Sequence, residues 1–237
     1  MAAEVLLQRA QIQEARAELL RRSLNCIGSP LRHFLLRFGM LRGVKIGDEL
    51  KSWDVLQTAR FIEDHVGQYA PVLDIGAYAS EILCILKRIG YADLTGIDLN
   101  PNIVRMPYAD NIRYIVSNFM HTPFEDSSFA AITSISVIEH GFNAQALLAE
   151  ISRLLQPGGF FIASVDYWPD KISTEGINVF GLDWCIFSKD EILAFLEGAH
   201  KYGFSLVGDL KLSALEPTIS WQGKQYTFLW FAIQKRI

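Results

Sequence analysis

The sequence predicts an α/β fold with a mostly parallel sheet and helices on both faces of that sheet. From Pro71 onward, short apolar runs typical of buried strands alternate with amphipathic stretches typical of helices. A turn at Gly76 joins the first strand to the first helix of this series, and the turn Pro157-Gly158-Gly159 leads into the fifth strand. Because parallel strands need a crossover connection, usually a helix, the alternation indicates successive βα units.

Seven strands are predicted along the chain. They cover Val72 to Ile75, Leu94 to Asp98, Ile112 to Val116, Ala130 to Ser136, Phe160 to Val165 and two segments near residues 204–210 and 226–234. A turn-rich stretch separates the last two segments, which predicts an antiparallel pair. Six strands are therefore expected to run parallel and the last-formed strand antiparallel. The helix before the sixth strand is predicted to begin with a capping box, Ser188 to Glu191, and to end at Gly203.

A helical extension, residues 1–66, is predicted to precede the main domain, residues 67–237. Residues 1–24 consist largely of good helix formers and contain neither Gly nor Pro, and Ser52 can cap a second helix. The first helix also offers a weak seam for a homodimer, because apolar side chains repeat every seven residues while the companion positions are small or polar. The repeating residues are Val5, Ile12 and Leu19.

Composition and charge narrow the function classes. The net charge of −4 combines a basic segment, residues 1–51 with nine Lys or Arg against five Asp or Glu, with an acidic remainder holding thirteen against twenty-one. An acidic main domain is a poor match for a phosphate backbone, so no nucleic-acid partner is expected. No apolar run reaches the roughly 18 residues of a membrane span, and the three cysteines are too scattered for a metal motif or a disulfide framework. A cytoplasmic protein without a bound metal is expected.

Two acidic residues at strand ends indicate a nucleoside site. Asp74 and Gly76 lie at the end of the first strand, where open α/β sheets bind ligands, and Gly76 lets the backbone approach a ligand closely. Asp98 ends the second strand, where a carboxylate can hold ribose hydroxyls or cap the following turn. The further glycines with which a dinucleotide-binding loop cradles pyrophosphate are missing. A nucleoside ligand without phosphate is therefore expected.

Five short motifs follow one another over some ninety residues. They are Val72-Leu73-Asp74-Ile75-Gly76, Leu94-Thr95-Gly96-Ile97-Asp98, Thr122-Pro123-Phe124-Glu125-Asp126-Ser127-Ser128-Phe129, Ser136-Val137-Ile138-Glu139-His140 and Ile151-Ser152-Arg153-Leu154-Leu155-Gln156-Pro157-Gly158-Gly159. In these motifs and their order the chain resembles class I S-adenosylmethionine-dependent methyltransferases, of the small-molecule type common in bacteria, over roughly residues 68–206. The resemblance implies a Rossmann-like fold, S-adenosylmethionine as cofactor and a small-molecule acceptor.

The resemblance also implies a cofactor site. It places the methionine end of the cofactor near Asp74 and Gly76, the ribose on Asp98 and the adenine on Leu99. Asn118 would accept a hydrogen bond from the adenine amino group through its side-chain carbonyl. The remaining predicted cofactor-binding residues are Ala77, Tyr78, Phe119 and Ser136.

Two positions depart from the family pattern. The family usually has glycine where this chain has Tyr78 and Ser80, and Tyr78 can either cover the cofactor or crowd it out. These departures favour a second interpretation, a methyltransferase-like binding protein that partners another enzyme without catalysis. A third interpretation, a nicotinamide oxidoreductase, lacks its phosphate-binding loop.

Glu139 and His140 are predicted as catalytic residues. They follow the fourth strand, at the rim where the transferable methyl group is expected. Holding the acceptor in line with the methyl group supplies much of the rate, and a base matters when the acceptor is a hydroxyl or a charged amine. His140 is the predicted base, because the unperturbed pKa of histidine is about 6.5. It can equally cap or pack against the following helix.

An aromatic loop, residues 166–187, is expected on the acceptor side. Tyr167, Trp168 and Trp184 are predicted to stack on a flat ring or a sugar face; a satellite core beneath the loop is the alternative. Lys51 and Trp53 are expected to form a lid from the other direction. The predicted function is methyl transfer to O or N of a small polar metabolite, with a glycan or a lipid-linked precursor as one option.

Overall fold

The alternation of apolar strands and amphipathic helices builds one central sheet in the computed structural model, which describes residues 3–29, 31, 34–35, 38, 40 and 43–237. The elements of the described residues are, in chain order, β1 (Glu4–Val5), α1 (Ala10–Arg21), α2 (Ser52–His65), β2 (Val72–Ile75), α3 (Ile82–Ile89), β3 (Leu94–Asp98), β4 (Ile112–Val116), β5 (Phe129–Ile135), α4 (Ala144–Leu154), β6 (Leu155–Tyr167), β7 (Asn178–Val179), β8 (Leu182–Asp183), α5 (Lys189–Lys201), β9 (Phe204–Leu206), β10 (Ile219–Trp221) and β11 (Lys224–Lys235). Short 3-10 turns cover Glu49–Lys51 and Pro101–Arg105.

The predicted seven-stranded core is confirmed. Strands β4, β3, β2, β5 and β6 lie side by side in that order and pair in parallel. Strand β11 pairs antiparallel with β6 on one side and with β9 on the other, so β9 runs in the same direction as the first five. Six strands are thus parallel and β11 is antiparallel to them, as expected. The short strands β1 and β10 add further antiparallel pairings with β11.

Helices cover both faces of the sheet, and side-chain alternation along the strands decides which face each residue reaches. One core cluster joins α1, α2 and α3 to the sheet, and the other joins α4 and α5 to it. On β6, Phe161, Ala163, Val165 and Tyr167 belong to the α4–α5 side, whereas Ile162 belongs to the α2 side. The even-numbered residues Ser164 and Asp166 therefore point toward α2, which matters for the site.

The first segment differs from its predicted helix over residues 1–24. Within the part described, the helix covers Ala10–Arg21, and Glu4–Val5 form a strand paired with Leu229 and Trp230 of β11. Strand β9 is three residues long and covers Ile233 to Lys235 of β11. Strand β9 leaves the other backbone N–H and C=O groups on that side of β11 without a partner. Pairing of Glu4–Val5 with part of this edge outweighs the local helix propensity of the first residues.

Other boundaries confirm or correct the sequence predictions. The capping box of Ser188 and Glu191 is present, and Gly90 ends α3 in the left-handed conformation. Ser52 does not cap α2: it is the first residue of the helix, with its hydroxyl bonded to the Glu49 carbonyl and to Arg16. The Pro157-Gly158-Gly159 segment lies within β6, where the pairing with β5 is irregular.

The residues of the predicted dimer seam, Val5, Ile12 and Leu19, are buried within the chain's own core, and the homodimer stays a prediction, as does the domain boundary at residue 67. Among the described residues no helix is long and apolar enough to cross a membrane.

Candidate active site

The turn after β2 brings a buried carboxylate to the rim of the sheet. Asp74 is almost fully buried, and its Oδ1 accepts a hydrogen bond from the Thr133 hydroxyl of β5 at 2.7 Å. Burial raises the pKa of Asp74 to about 7, against the lowering effect of the Thr133 and Ser80 hydroxyls. Gly76 adopts a φ of 71°, and a Cβ built there would lie 2.3 Å from Val137 Cγ2. The turn therefore needs glycine at this position.

Asp98 lies at the carboxyl end of β3, the neighbour of β2. Its Oδ2 accepts from the Tyr78 backbone N–H at 3.0 Å, and its Oδ1 accepts from the Asn100 backbone N–H at 2.8 Å. Two amides thus fix the carboxylate, yet the side chain is partly exposed and each oxygen keeps a lone pair. This geometry suits a ligand with two adjacent hydroxyls.

Tyr78 and Ser80, which depart from the family pattern, form hydrogen bonds that stabilise the turn after β2. Tyr78 contributes its backbone amide to Asp98, and its side chain is partly buried against the core. The Ser80 hydroxyl accepts from the Ile82 N–H at the start of α3. Ala77 is buried and donates its N–H to the Ile97 carbonyl at 3.0 Å. Together these contacts fix the loop between β2 and α3, which supplies the backbone N–H that Asp98 binds.

Beyond Asp98 the predicted adenine contacts form a partly exposed surface. Leu99 is 54% exposed, which is large for an apolar side chain beside a candidate ligand site. Asn118 is exposed, and its Oδ1 already accepts from the Met120 N–H at 2.9 Å. Phe119 is partly buried and packs against the core on the α4–α5 side.

At the end of β5 the structure places Ser136 against Lys51. Ser136 adopts a φ of 51°, an uncommon conformation for a non-glycine residue that is often found at functional sites. Its hydroxyl accepts from the Lys51 ammonium group, which also lies 3.6 Å from the centroid of the Phe228 ring. Trp53, the other predicted lid residue, is buried.

Three buried carboxyl groups, those of Asp54, Glu139 and Asp166, are under the influence of the Lys51 charge, and we call them the acidic cluster. Lys51 Nζ lies 3.9 Å from Asp166 Oδ1. Asp54 Oδ2 accepts from the Ser164 hydroxyl at 2.9 Å, and Asp166 Oδ2 accepts from Trp184 Nε1 at 2.8 Å. Both oxygens of Glu139, and Oδ1 of each aspartate, have no hydrogen-bond partner within the described parts of the chain.

Burial dominates the ionisation of the acidic cluster. It raises the pKa of Asp54 to about 6, raises that of Asp166, and raises the pKa of Glu139 well above its usual value. Neighbouring carboxylates add to the rise for Asp54 and Glu139. The Lys51 charge lowers the pKa of all three. The cluster therefore has groups that can take up a proton near neutral pH.

His140 follows Glu139 of this cluster, but its imidazole is not easily protonated. Burial, with a smaller contribution from the Lys51 charge, lowers the pKa of His140 to about 4, and its Nδ1 has no hydrogen-bond partner among the described residues. The ring packs edge-on against Phe180. His140 is thus a neutral imidazole near pH 7, and a weaker base than its unperturbed pKa suggested.

The structure separates the aromatic residues that the sequence grouped. Trp184 reaches the acidic cluster through Asp166 and packs edge-on against Trp221 and Tyr226. Trp168 is partly buried on the same side. Tyr167 is not brought to this rim: it points to the α4–α5 side, is fully buried, and donates its hydroxyl to the Leu212 carbonyl at 2.7 Å.

Sequence reasoning missed the role of Asp54 and understated that of Asp166. Asp54 lies in a helix and precedes the apolar face by one position, so it reads as an exposed charge. The signal for Asp166 was its place at a strand end, like Asp98. Within the described residues no group of three His, Cys, Asp or Glu side chains is placed to hold a metal ion, and the absence of a metal stays a prediction.

Part of this chain is similar in sequence to known methyltransferases. Residues 73–163 match a family model described as a methyltransferase domain. A sterol 24-C-methyltransferase of Pneumocystis carinii is 29% identical over 124 residues, which are 48% of this chain and 33% of the relative. The matched segment thus spans about a third of that relative's length.

Solved structures share the fold at low sequence identity. A 1,6-didemethyltoxoflavin N1-methyltransferase of Burkholderia thailandensis, solved with bound 1,6-didemethyltoxoflavin and S-adenosylhomocysteine, is 18% identical with a TM-score of 0.57, covering 78% of this chain and 79% of its own. The 4+2 cyclase SpnF is 13% identical with a TM-score of 0.58, covering 100% of this chain and 99% of its own. Such likenesses establish the fold, and the second shows that the fold also occurs in a cyclase.

Proposed function

We propose that the protein transfers a methyl group from S-adenosylmethionine to O or N of a small polar molecule, from the premise that residues 73–163 match the methyltransferase-domain family model. The observation that carries the proposal is the pair of carboxylates at adjacent strand ends, Asp74 and Asp98. The first is buried beside Thr133 and the second is held by two backbone amides with its outer side open.

These residues fit the cofactor chemically. Asp98 offers two oriented acceptors to the ribose hydroxyls, and the exposed Leu99 offers an apolar surface to the adenine. Asp74 Oδ2 is buried without an ordinary hydrogen-bond partner in the described structure, so it can accept from the cofactor's ammonium group. When bound, S-adenosylmethionine supplies a methyl carbon on a cationic sulfur.

The chain's own residues then have four tasks. Strands β5 and β6 end at the same rim, where Glu139 follows β5 and Asp166 lies near the end of β6, and the Asp166 carboxylate adds to the rise in the pKa of Glu139. Glu139 can hold the proton that an acceptor hydroxyl or ammonium loses, because burial raises the pKa of its carboxyl group. The neutral His140 can accept a hydrogen bond from the acceptor. The rings of Trp184 and Trp168 exclude water from the acceptor side of the rim.

Calorimetric titration with S-adenosylmethionine tests cofactor binding. We expect Asp98→Ala to weaken binding by roughly 1–3 kcal/mol, because partner hydroxyls lose their acceptors. Asp93→Ala, which changes an exposed aspartate before the same strand, should leave binding unchanged. Equal affinity of Asp98→Ala and the unmodified protein would remove Asp98 from the site, and no binding at millimolar cofactor would refute the proposal.

Turnover tests the role of Glu139 once an acceptor is found by screening sugars, phenols and amines for production of S-adenosylhomocysteine. Glu139→Gln keeps the shape and removes the base, so we expect turnover about 100- to 10,000-fold lower with cofactor affinity nearly unchanged. Glu175→Gln, on the exposed part of the aromatic loop, is the control. Full turnover by Glu139→Gln at every pH would assign the proton to another group.

The second candidate function is a non-catalytic methyltransferase-like protein that partners another enzyme. The specific observation in its favour is the position of Lys51 at the rim, against Ser136. Cofactor binding without turnover on any acceptor of the screen would support it. The cytoplasm stays the predicted location.

A further inference from the structure

The ammonium group of Lys51 lies in surroundings suited to an organic cation. Its nitrogen is 3.6 Å from the centroid of the Phe228 ring and 3.9 Å from Asp166 Oδ1. Tyr226 and Trp184, both buried, lie beside Asp166. Aromatic faces and desolvated carboxylates are the groups that bind ammonium ions in proteins. We call Phe228, Ser136 and the acidic cluster together the ammonium seat.

Lys51 fills the ammonium seat incompletely. Within the part of the chain described, its hydrogen bond is to Ser136 Oγ, and its distance to Asp166 Oδ1 exceeds that of a hydrogen bond. Both Glu139 oxygens remain unpartnered although the side chain is buried. Fully ionised, the seat would hold three carboxylates against one ammonium group. A ligand ammonium group that also reaches Glu139 would donate hydrogen bonds to its carboxylate oxygens, which Lys51 leaves without a partner.

The Lys51 side chain reaches solvent, so it can leave the seat and a ligand ammonium group can enter. Its side chain is 24% exposed, whereas that of Asp166 is 4% exposed, so the lysine enters the seat from the solvent side. It belongs to the 3-10 turn Glu49–Lys51 before α2, and its long flexible side chain can leave without disturbing the carboxylates. The seat includes Glu139, which follows β5 at the rim where the transferable methyl group is expected.

We propose that the ammonium seat binds the protonated amine of the methyl acceptor, and that Lys51 holds the seat until the acceptor displaces it. The inference rests on the proposed function and adds the chemical class of the substrate, a primary or secondary aliphatic amine. Such an amine must lose one proton before its nitrogen lone pair can attack, and an ionised carboxylate of the seat would take that proton. The new nitrogen–methyl bond would form as the bond between the methyl group and the sulfonium sulfur breaks, with its electron pair going to sulfur, so that S-adenosylhomocysteine is the leaving group. The methylated nitrogen is again a cation, so the seat fits both substrate and product.

Thermal unfolding tests the seat without any turnover. In Lys51→Ala, ethylammonium chloride should raise the unfolding midpoint by about 3–6 °C at ten times its dissociation constant, relative to sodium chloride of equal concentration. Ethanol, the neutral counterpart, should give no such shift. The shift should be smaller in the unmodified protein and in Lys45→Ala, an exposed lysine nearby, and absent in Lys51→Ala/Glu139→Gln. Equal shifts in all variants would overturn the proposal.

NMR of the unmodified protein gives a second measurement that does not depend on the folding of a variant. Lys51 Nζ lies 3.6 Å from the centroid of the Phe228 ring, so we expect the resonance of the adjoining ε-methylene protons to be displaced upfield, and ethylammonium to return it toward the value of an exposed lysine. A displaced resonance that no ammonium ion moves would show that Lys51 is a fixed structural residue and would overturn the proposal.

Matched acceptors connect the seat to methyl transfer. Benzylamine and phenethylamine are compared with benzyl alcohol and phenethyl alcohol, with calorimetry of the cofactor on the same samples. We expect the amines to be methylated in preference, and Lys51→Ala to lower their KM several-fold because the internal competitor is gone. Preference for the alcohols, with cofactor bound, would overturn the seat and leave the proposed function standing. Absence of cofactor binding would overturn the proposed function itself.

Discussion

A buried ion pair ties the N-terminal segment to the candidate cofactor loop. Arg16 of α1 donates to both carboxylate oxygens of Glu81, from Nη1 at 3.0 Å and from Nη2 at 2.7 Å. The side chains are 12% and 1% exposed, and Glu81 Oε1 also accepts from the Cys26 N–H. Glu81 immediately precedes α3, so the pair fixes the start of that helix against α1.

Glu81→Gln keeps the shape of the side chain and leaves Arg16 buried without its counter-charge. Breaking a buried pair from one side costs about 3–5 kcal/mol. Arg16 keeps its hydrogen bonds to the Ser52 hydroxyl and to Asn25 Oδ1, each 2.9 Å long. We therefore expect a loss of about 3 kcal/mol in the free energy of unfolding, at the lower end of that range.

Urea unfolding followed by circular dichroism measures this loss, and a double-mutant cycle with Arg16→Met isolates the coupling of the two charges. Glu197→Gln is the matched control, because Glu197 pairs with Lys201 on an exposed helix surface and such pairs contribute about 0.3–0.5 kcal/mol. A coupling energy near zero between Arg16 and Glu81 would refute the reasoning, since each residue would then act through its other contacts.

Two further predictions concern the rim of the sheet. Gly76→Ala should lower the unfolding free energy by at least about 1–2 kcal/mol, because its backbone is left-handed and the new methyl group meets Val137; Val137→Ala in the same chain should recover the steric part, and an unchanged midpoint for Gly76→Ala would contradict the geometry. Burial raises the pKa of Asp54 from 3.8 to about 6, so the folded state holds its proton more tightly and ionisation costs stability as the pH rises between those values. Asp54→Asn removes that cost, and its stability relative to the unmodified protein should rise by about 3 kcal/mol between about pH 3 and pH 7 and then level off; a difference that stays flat with pH would show that Asp54 titrates normally.

Three of the parallel strands could be predicted to the residue because each is a short apolar run bounded by turn-forming residues. Val72–Ile75, Leu94–Asp98 and Ile112–Val116 have the same bounds in the structure as in the sequence prediction. The same holds for the capping box at Ser188, which depends on residues three positions apart. Strand β1 could not be found this way, because its pairing depends on the free flank of β11 more than 220 residues later.

The cofactor half of the candidate site was also open to prediction, since Asp74, Gly76 and Asp98 sit in local strand–turn–helix motifs. The acceptor half was not. The Ser164–Asp54 bond joins residues 110 positions apart, and the pKa of His140, about 4, follows from burial that no sequence window reveals. Tyr167 and Asp166 are neighbours in sequence, yet strand alternation sends them to opposite faces of the sheet.

What the sequence by itself determined is therefore the set of elements, their order, and the rim where Asp74 and Asp98 meet, because apolar periodicity and turn chemistry are local properties. What the tertiary structure alone decided is the ammonium seat: α2 brings Asp54, β6 brings Asp166 and β11 brings Phe228 to one lysine. Within its own segment of the sequence, each of the two aspartates looks like a solvated charge. Their burial together, and the raised pKa values that follow from it, exist only once the helix packs on the sheet, because desolvation depends on neighbours distant in the chain.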